Sequence, residues 1–465
     1  MPNPRVMLAA GASGSGKTLI TCGILQALRK QNRKVAAFKC GPDYIDPLFH
    51  EKVLQTKSRN LDLFFTDEET TRYLFARAAE GREVSVIEGV MGYYDGLAGT
   101  CKKASAYDLA GVTETPVILI VNAKGMSLSL LAYIKGFLTY EKESHIKGVI
   151  LNQISKGMYQ KIAPRIEQEL GITVYGYVPQ MPELSLKSRH LGLILPNEIA
   201  GLEEKLAAFA AVLEKTLHLE EILKLAASAP EIPVAEPNLL RQVKAKAEAF
   251  SGGKPVIAVA RDEAFCFIYE DNLKLLEESG AVLRYFSPLH EREVPPEASG
   301  ILLYGGYPEL YAKKLEQNKA MRTSILTAME RGIPCMAECG GFMYLHETIE
   351  DRAGNRYQMV GAVKGTAYQT ETLGRFGYIT LEPTAKEVFG SACGLLKGHE
   401  FHYFDSTSCG TGYLARKPLG KRNWYCLHAE QNSLLGFPHL YYYASPLLAE
   451  AFVEKCRVFS AARGL

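Results

Sequence analysis

The stretch RVMLAAGASGSGKTLI, residues 5–20, decides how the first half of the chain folds. An apolar run (5–10) leads into a glycine-rich loop, and the loop opens a pattern of helical period (19–30). Inside it, GASGSGKT (11–18) fits the phosphate-loop pattern G-x-x-x-x-G-K-[ST], in the strand–loop–helix setting that the pattern requires. Glycines there let backbone N–H groups curl round a polyphosphate, and the helix start adds its dipole. Lys17 is then expected to reach the β- and γ-phosphates, and Thr18 to hold Mg2+.

Working outward, further apolar runs at 34–39, 84–89, 116–121, 146–152 and 173–179 alternate with helical patterns such as 160–170. Strands apolar throughout and separated by helices predict a parallel sheet covered on both faces. A proline-rich stretch and a Ser-Gly-Gly-Lys-Pro run then mark a join. Beyond it the pattern restarts with strands at 255–260, 281–286, 300–306 and 333–338 and helices at 269–279 and 320–331; past 359 the strands are shorter, as in an antiparallel extension. The expected fold class is α/β with two domains, each a mostly parallel sheet flanked by helices. Their bounds are 1–225 and 254–465, with a linker at 226–253.

Composition narrows the function. The chain has 465 residues, 47% hydrophobic and 22% charged, with a formal net charge of +2. That balance argues against nucleic acid or an anionic membrane as partner. The opening residues do not read as a signal peptide, and no apolar stretch approaches the ~20 residues of a membrane helix. Ten scattered cysteines without C-x-x-C pairs point to a reduced, cytoplasmic protein with no zinc site or disulfide framework.

A phosphate loop needs carboxylates for its metal. FKCGPDYIDP (38–47) offers Asp43 and Asp46, and IEGVMGYYDG (87–96) offers Glu88 and Asp95, both where strands of an open parallel sheet end. The second half carries MAECGGFMYL (336–345), which puts Cys339 on a strand-to-helix turn before two glycines. Such a turn exposes a nucleophile, favours its thiolate with a helix dipole and offers the Gly340 N–H to an oxyanion. YGGYPEL (304–310) could supply a second donor at Gly306, and GFPHLYYYASP (436–446) a base at His439. Alone, each is more often a buried structural residue; together they shift the odds toward a cysteine nucleophile with its base.

These pieces, with SRNLD (58–62), RHLGL (189–193) and GHEFHYF (398–404), resemble the cobyrinate a,c-diamide synthase family over nearly the whole chain. The resemblance implies a dethiobiotin-synthetase-type P-loop domain followed by a class I glutamine amidotransferase domain. It implies a ligase that converts the a- and c-acetates of cobyrinic acid to amides, using ATP, Mg2+ and glutamine-derived ammonia. Gly14, Ser15, Gly16, Lys17 and Thr18 would bind ATP, and Asn152 resembles the adenine-reading asparagine of this fold. Glu88 with Asp43 or Asp46 would complete the metal shell with Thr18. Tyr44, Asp46 and Asp95 would face the tetrapyrrole carboxylate or the acyl phosphate, and Arg59, Lys187 and Arg189 are candidates for its entry. Cys339 would be the nucleophile, His439 its base, and Gly306 and Gly340 the oxyanion hole. Expected partners are small molecules (the tetrapyrrole, glutamine, ATP); oligomeric state, a homodimer included, is left open.

The chain departs from the family's pattern in places. His439-Leu440-Tyr441 lacks the His-x-Glu of class I amidotransferases, so His439 must be oriented from elsewhere, a backbone carbonyl being one option. Asn122 stands where relatives often carry aspartate, and 99–110 matches loosely. The nearest alternatives are the same diamidation on nickel-sirohydrochlorin or hydrogenobyrinate. A P-loop switch ATPase with a non-catalytic second domain is disfavoured by Gly11-Ala12-Ser13, where such ATPases often place a lysine. A CTP-synthase-like amidoligase is disfavoured by the missing His-x-Glu.

Overall fold

The computed structural model describes residues 3–181, 188–189, 192–193, 195–351, 353–430 and 432–463. They divide into two compact units, Met1–Glu236 and Pro237–Leu465.

The first unit is built on seven parallel strands: β1 (Arg5–Ala10), β2 (Val35–Cys40), β3 (Arg59–Leu61), β4 (Val84–Glu88), β5 (Val117–Asn122), β6 (Ile146–Asn152) and β7 (Thr173–Val178). Their order across the sheet is β3-β2-β4-β1-β5-β6-β7. Every residue of β1, β2 and β4 is buried, as two-sided coverage by helices demands. The three-residue edge strand β3 is an addition to the expected set; it falls in the SRNLD stretch and is too short to show a period. Helix α1 (Lys17–Lys30) follows β1 and lies against helix Leu202–Thr216. The contact depends on Gly23, where a Cβ would sit 2.5 Å from Leu213 and 2.8 Å from Phe209.

Arg5, in β1, is fully buried, yet its guanidinium is satisfied by carbonyls of Asn3, Thr113 and Pro230. Tyr73 donates to Glu236. These bonds hold 230–236 against the first unit. Helix Asn238–Ala249 belongs to the second, where Lys246 pairs with Glu450 at 2.7 Å.

The second unit centres on five parallel strands in the order Val282–Phe286, Val256–Ala260, Gly300–Leu303, Cys335–Glu338, Ser433–Gly436. A mixed four-stranded sheet and an antiparallel five-stranded sheet are added from residue 346 onward. In the latter, Leu396–His402 pairs with the short strand His439–Leu440, setting His399 opposite His439. No helix among the described residues is long and apolar enough to cross a membrane.

Filling the close helix contact tests the packing of the first unit. Gly23→Val is expected to destabilise it by about 1–3 kcal/mol, read as a lower urea midpoint; an unchanged midpoint would contradict the contact.

Candidate functional site

Sheet pairing sets the geometry of the first cluster. β1 and β4 are neighbours, with Leu8 opposite Glu88, so the loop leaving β1 lies beside the end of β4. The loop turns through Gly14 (φ 75°) and Gly16 (φ 89°), left-handed conformations that glycine adopts without strain. Ser15 Oγ donates to the Ala12 carbonyl at 2.9 Å, and Asn152 Nδ2 donates to the Ser15 carbonyl at 2.9 Å. Asn152 thus braces the loop from the end of β6. Lys17 Nζ donates to the carbonyls of Ala12 (3.2 Å) and Met91 (2.6 Å). Burial, then the nearby Lys39 charge, lowers the Lys17 pKa to about 8 against the pull of Glu88, Asp46 and Asp95. A bound polyanion would raise it again.

Glu88 is the hub of this cluster. It is fully buried and accepts from Thr18 Oγ1 (2.7 Å) and Lys39 Nζ (3.0 Å) on one oxygen. Its other oxygen lies 2.7 Å from His50 Nε2. Lys39 also pairs with Asp46 at 2.5 Å. Burial works against every charge here. For Glu88 it is outweighed by Lys39 and His50, which hold the carboxylate below its usual range. For Asp46 burial wins, reinforced by Asp43 and Glu88, and the carboxyl is pushed up. Thr18, Asp46 and Glu88 therefore converge, while Asp43 and Asp95 serve their own loops. Asp43 Oδ1 accepts from the N–H groups of Ile45 and Asp46, and Asp95 Oδ2 from Gly92 N–H. Tyr44 is half-buried just before helix Ile45–Leu54, and Arg59 is half-buried in β3. Lys187 and the side chain of Arg189 lie outside the described residues.

The second cluster forms where three loops leave neighbouring parallel strands. Cys339 follows Cys335–Glu338 and precedes helix Gly340–Leu345 in a strained conformation, φ 46° and ψ −106°. Its N–H donates to the Gly436 carbonyl at 2.8 Å. Gly305 lies between the cysteine and the histidine: a Cβ there would be 3.4 Å from Cys339 Cβ and 2.5 Å from His439 Cε1. A Cβ at Gly340 would lie 3.0 Å from the Gly306 nitrogen. The structure thus brings Cys339, His439, Gly306 and Gly340 together. It does not lower the thiol: burial, then Glu309, outweighs the Gly340 N–H and raises the Cys339 pKa well above its ordinary value. The thiolate favoured by a helix start is therefore not the resting form.

His439 is 2% exposed, and its Nδ1 is 3.7 Å from Glu338 Oε2, itself in a residue 2% exposed. A carboxylate therefore faces the histidine despite the missing His-x-Glu. It comes from the residue before the cysteine. The ring of His399 stands edge-on to that of His439, centroids 5.0 Å apart.

Comparison with known proteins agrees with this two-part layout. Residues 6–194 match the CobQ/CobB/MinD/ParA nucleotide binding domain, and 256–422 the CobB/CobQ-like glutamine amidotransferase domain. The chain is 39% identical over 459 residues to a cobyrinate a,c-diamide synthase of Caldanaerobacter subterraneus subsp. tengcongensis, covering 98% of this chain and 99% of that protein. The chain belongs to the cobyrinate a,c-diamide synthase family. Members from Listeria innocua (38% over 450 residues; 96% and 97% covered) and Dehalococcoides mccartyi (36% over 467; 98% and 99%) align over the same extent. His439 lies beyond the matched amidotransferase stretch.

Sequence reasoning passed over Lys39, His50 and Glu338. Two of them carried a faint signal: a lysine inside the apolar strand KVAAFKC, and a glutamate closing the apolar run before Cys339. A charge in such a run is costly unless something distant meets it.

The strained turn makes a stability prediction. Cys339→Gly should unfold at higher urea than Cys339→Ala, by about 1 kcal/mol, because glycine relieves the positive φ. The reverse order would contradict the strain.

Proposed function

We propose that this protein amidates the a- and c-acetate carboxylates of cobyrinic acid, using ATP and ammonia taken from glutamine, in cobalamin biosynthesis. The observation that carries the reading is full-length membership of the family, joined to a phosphate loop and a Cys–His pair on one chain.

In the second unit, His439 takes the Cys339 thiol proton as sulfur attacks the glutamine side-chain carbonyl carbon. The N–H groups of Gly306 and Gly340 meet the developing oxyanion. The proton passes from His439 to the leaving nitrogen, ammonia departs, and water clears the thioester to glutamate. Because burial raises the thiol's pKa, proton transfer accompanies attack instead of preceding it.

In the first unit, the loop amides of 14–18 and Lys17 hold the polyphosphate, and the substrate carboxylate is activated as an acyl phosphate for ammonia to displace. Among the described residues no cluster of three or more His, Cys, Asp or Glu makes a metal cage of its own. Thr18, Asp46 and Glu88 nonetheless form an oxygen-only set with excess negative charge, which fits a hard cation that takes few protein ligands. Mg2+ held there by Thr18, Asp46 and Glu88 would offset the charge of the phosphates. Lys39 keeps Asp46 and Glu88 together and His50 fixes the second oxygen of Glu88. Tyr44, Asp46 and Asp95, from loops at the same strand ends, would meet the tetrapyrrole carboxylate or the acyl phosphate.

The test is product mass after incubation with ATP, glutamine and cobyrinic acid, with nickel-sirohydrochlorin in parallel. Cobyrinic acid should gain two amides. Cys339→Ala should lose glutamine-dependent turnover by roughly 10³-fold or more while keeping ammonia-dependent turnover, and Lys17→Ala should lose both by at least ~100-fold. Amidation of nickel-sirohydrochlorin alone would overturn the substrate; amidation of neither would overturn the reading.

A further inference from the structure

We propose that Glu338 is the positioning residue of His439, completing a Cys–His–carboxylate relay whose acid comes from the strand before the nucleophile. The inference rests on the glutaminase reading above and adds a residue to it.

Three observations converge. The ladder that sets Glu338 opposite Gly436 fixes the start of the segment leading to His439, so both side chains enter one dry space. Asn272 clamps the far side of that segment: its Nδ2 donates to the Leu440 carbonyl and its Oδ1 accepts from Tyr442 N–H, each at 2.8 Å. And Glu338, with both oxygens buried, makes no hydrogen bond of good geometry among the described residues; the Leu440 backbone and the Tyr442 hydroxyl approach it and favour its carboxylate, but burial outweighs them. A buried carboxyl left in this state costs stability, and such groups call for an explanation beyond packing. The facing atom is His439 Nδ1 at 3.7 Å, a separation that a small movement on glutamine binding closes to a hydrogen bond.

The consequence is directional. With Nδ1 turned to Glu338, Nε2 is the nitrogen left to exchange a proton with Cys339. The form that can take the thiol proton is a Glu338 carboxylate facing an imidazole already protonated at Nδ1; burial opposes a lone charge on either group, so the two titrate together. When His439 takes the thiol proton, the carboxylate becomes its counter-charge. The other groups facing the pair do not replace it. His399 and His402 oppose an imidazolium, and the hydroxyls of Tyr304 and Tyr442 lie toward Glu338. Glu309 and Glu400 act on Cys339.

The test measures glutamine hydrolysis by the full chain for Glu338→Gln and Glu338→Asp beside Cys339→Ala. For Glu338→Gln, kcat should fall at least ~10-fold with KM for glutamine within about twofold, and the urea midpoint should not drop. The acid limb of kcat/KM should move to lower pH, because the imidazolium has lost its counter-charge. Glu338→Asp should recover part of the loss. In a His439→Ala background, Glu338→Gln should cost nothing further. A Glu338→Gln kcat within twofold of the parent, or an added loss without His439, overturns the proposal. Should Glu338→Gln not fold, the aspartate variant decides: its kcat should drop at constant KM, and an unchanged kcat overturns. If Cys339→Ala still hydrolyses glutamine, the glutaminase reading itself has failed, a result separable from any outcome at Glu338.

Discussion

The parallel pairing of Cys335–Glu338 with Ser433–Gly436 is the contact on which the chemistry of the second unit depends. Nearly a hundred residues separate these strands, yet their ladder fixes both the cysteine turn and the approach of His439. Gly436 takes the Cys339 N–H into the ladder, which holds the turn in a conformation the residue would not choose alone. Gly305 then has to lack a side chain, because the histidine occupies the space. The first unit follows the same logic. The pairing of β1 with β4 sets the phosphate loop beside Glu88, and Glu88 collects the loop's threonine, the lysine of β2 and the histidine of helix Ile45–Leu54.

Both clusters put charge or strain where stability alone would not. In the first, two carboxylates share one buried lysine, an arrangement that a cation and phosphates would rebalance. In the second, an acid and a histidine are sealed together 3.7 Å apart, and burial raises the pKa of the thiol beside them.

Much of the fold was legible from residues alone. The strands at 5–10 and 146–152 were read to the residue because they are buried throughout or at all but one position and bounded by clear breaks. Edge strand β3 has neither length nor period to announce it. The phosphate-loop pattern stood out in the sequence, as did the turn at Cys339 and the downstream His439 that the structure brings beside it. Lys39, His50 and Glu338 were not, since their meaning lies in partners brought by sheet pairing from far along the chain. The missing His-x-Glu pointed to a gap at His439, and tertiary structure sets a carboxylate there from an unexpected place.

The central claim is that Cys339 forms a covalent bond to glutamine. The most direct measurement is an acid quench of the protein turning over isotopically labelled glutamine, followed by peptide mass spectrometry. The account predicts a labelled glutamyl thioester on the peptide bearing Cys339 and on none of the other nine cysteines. A glutamyl adduct elsewhere, or steady hydrolysis with no adduct at Cys339 under conditions that trap thioesters, would contradict it.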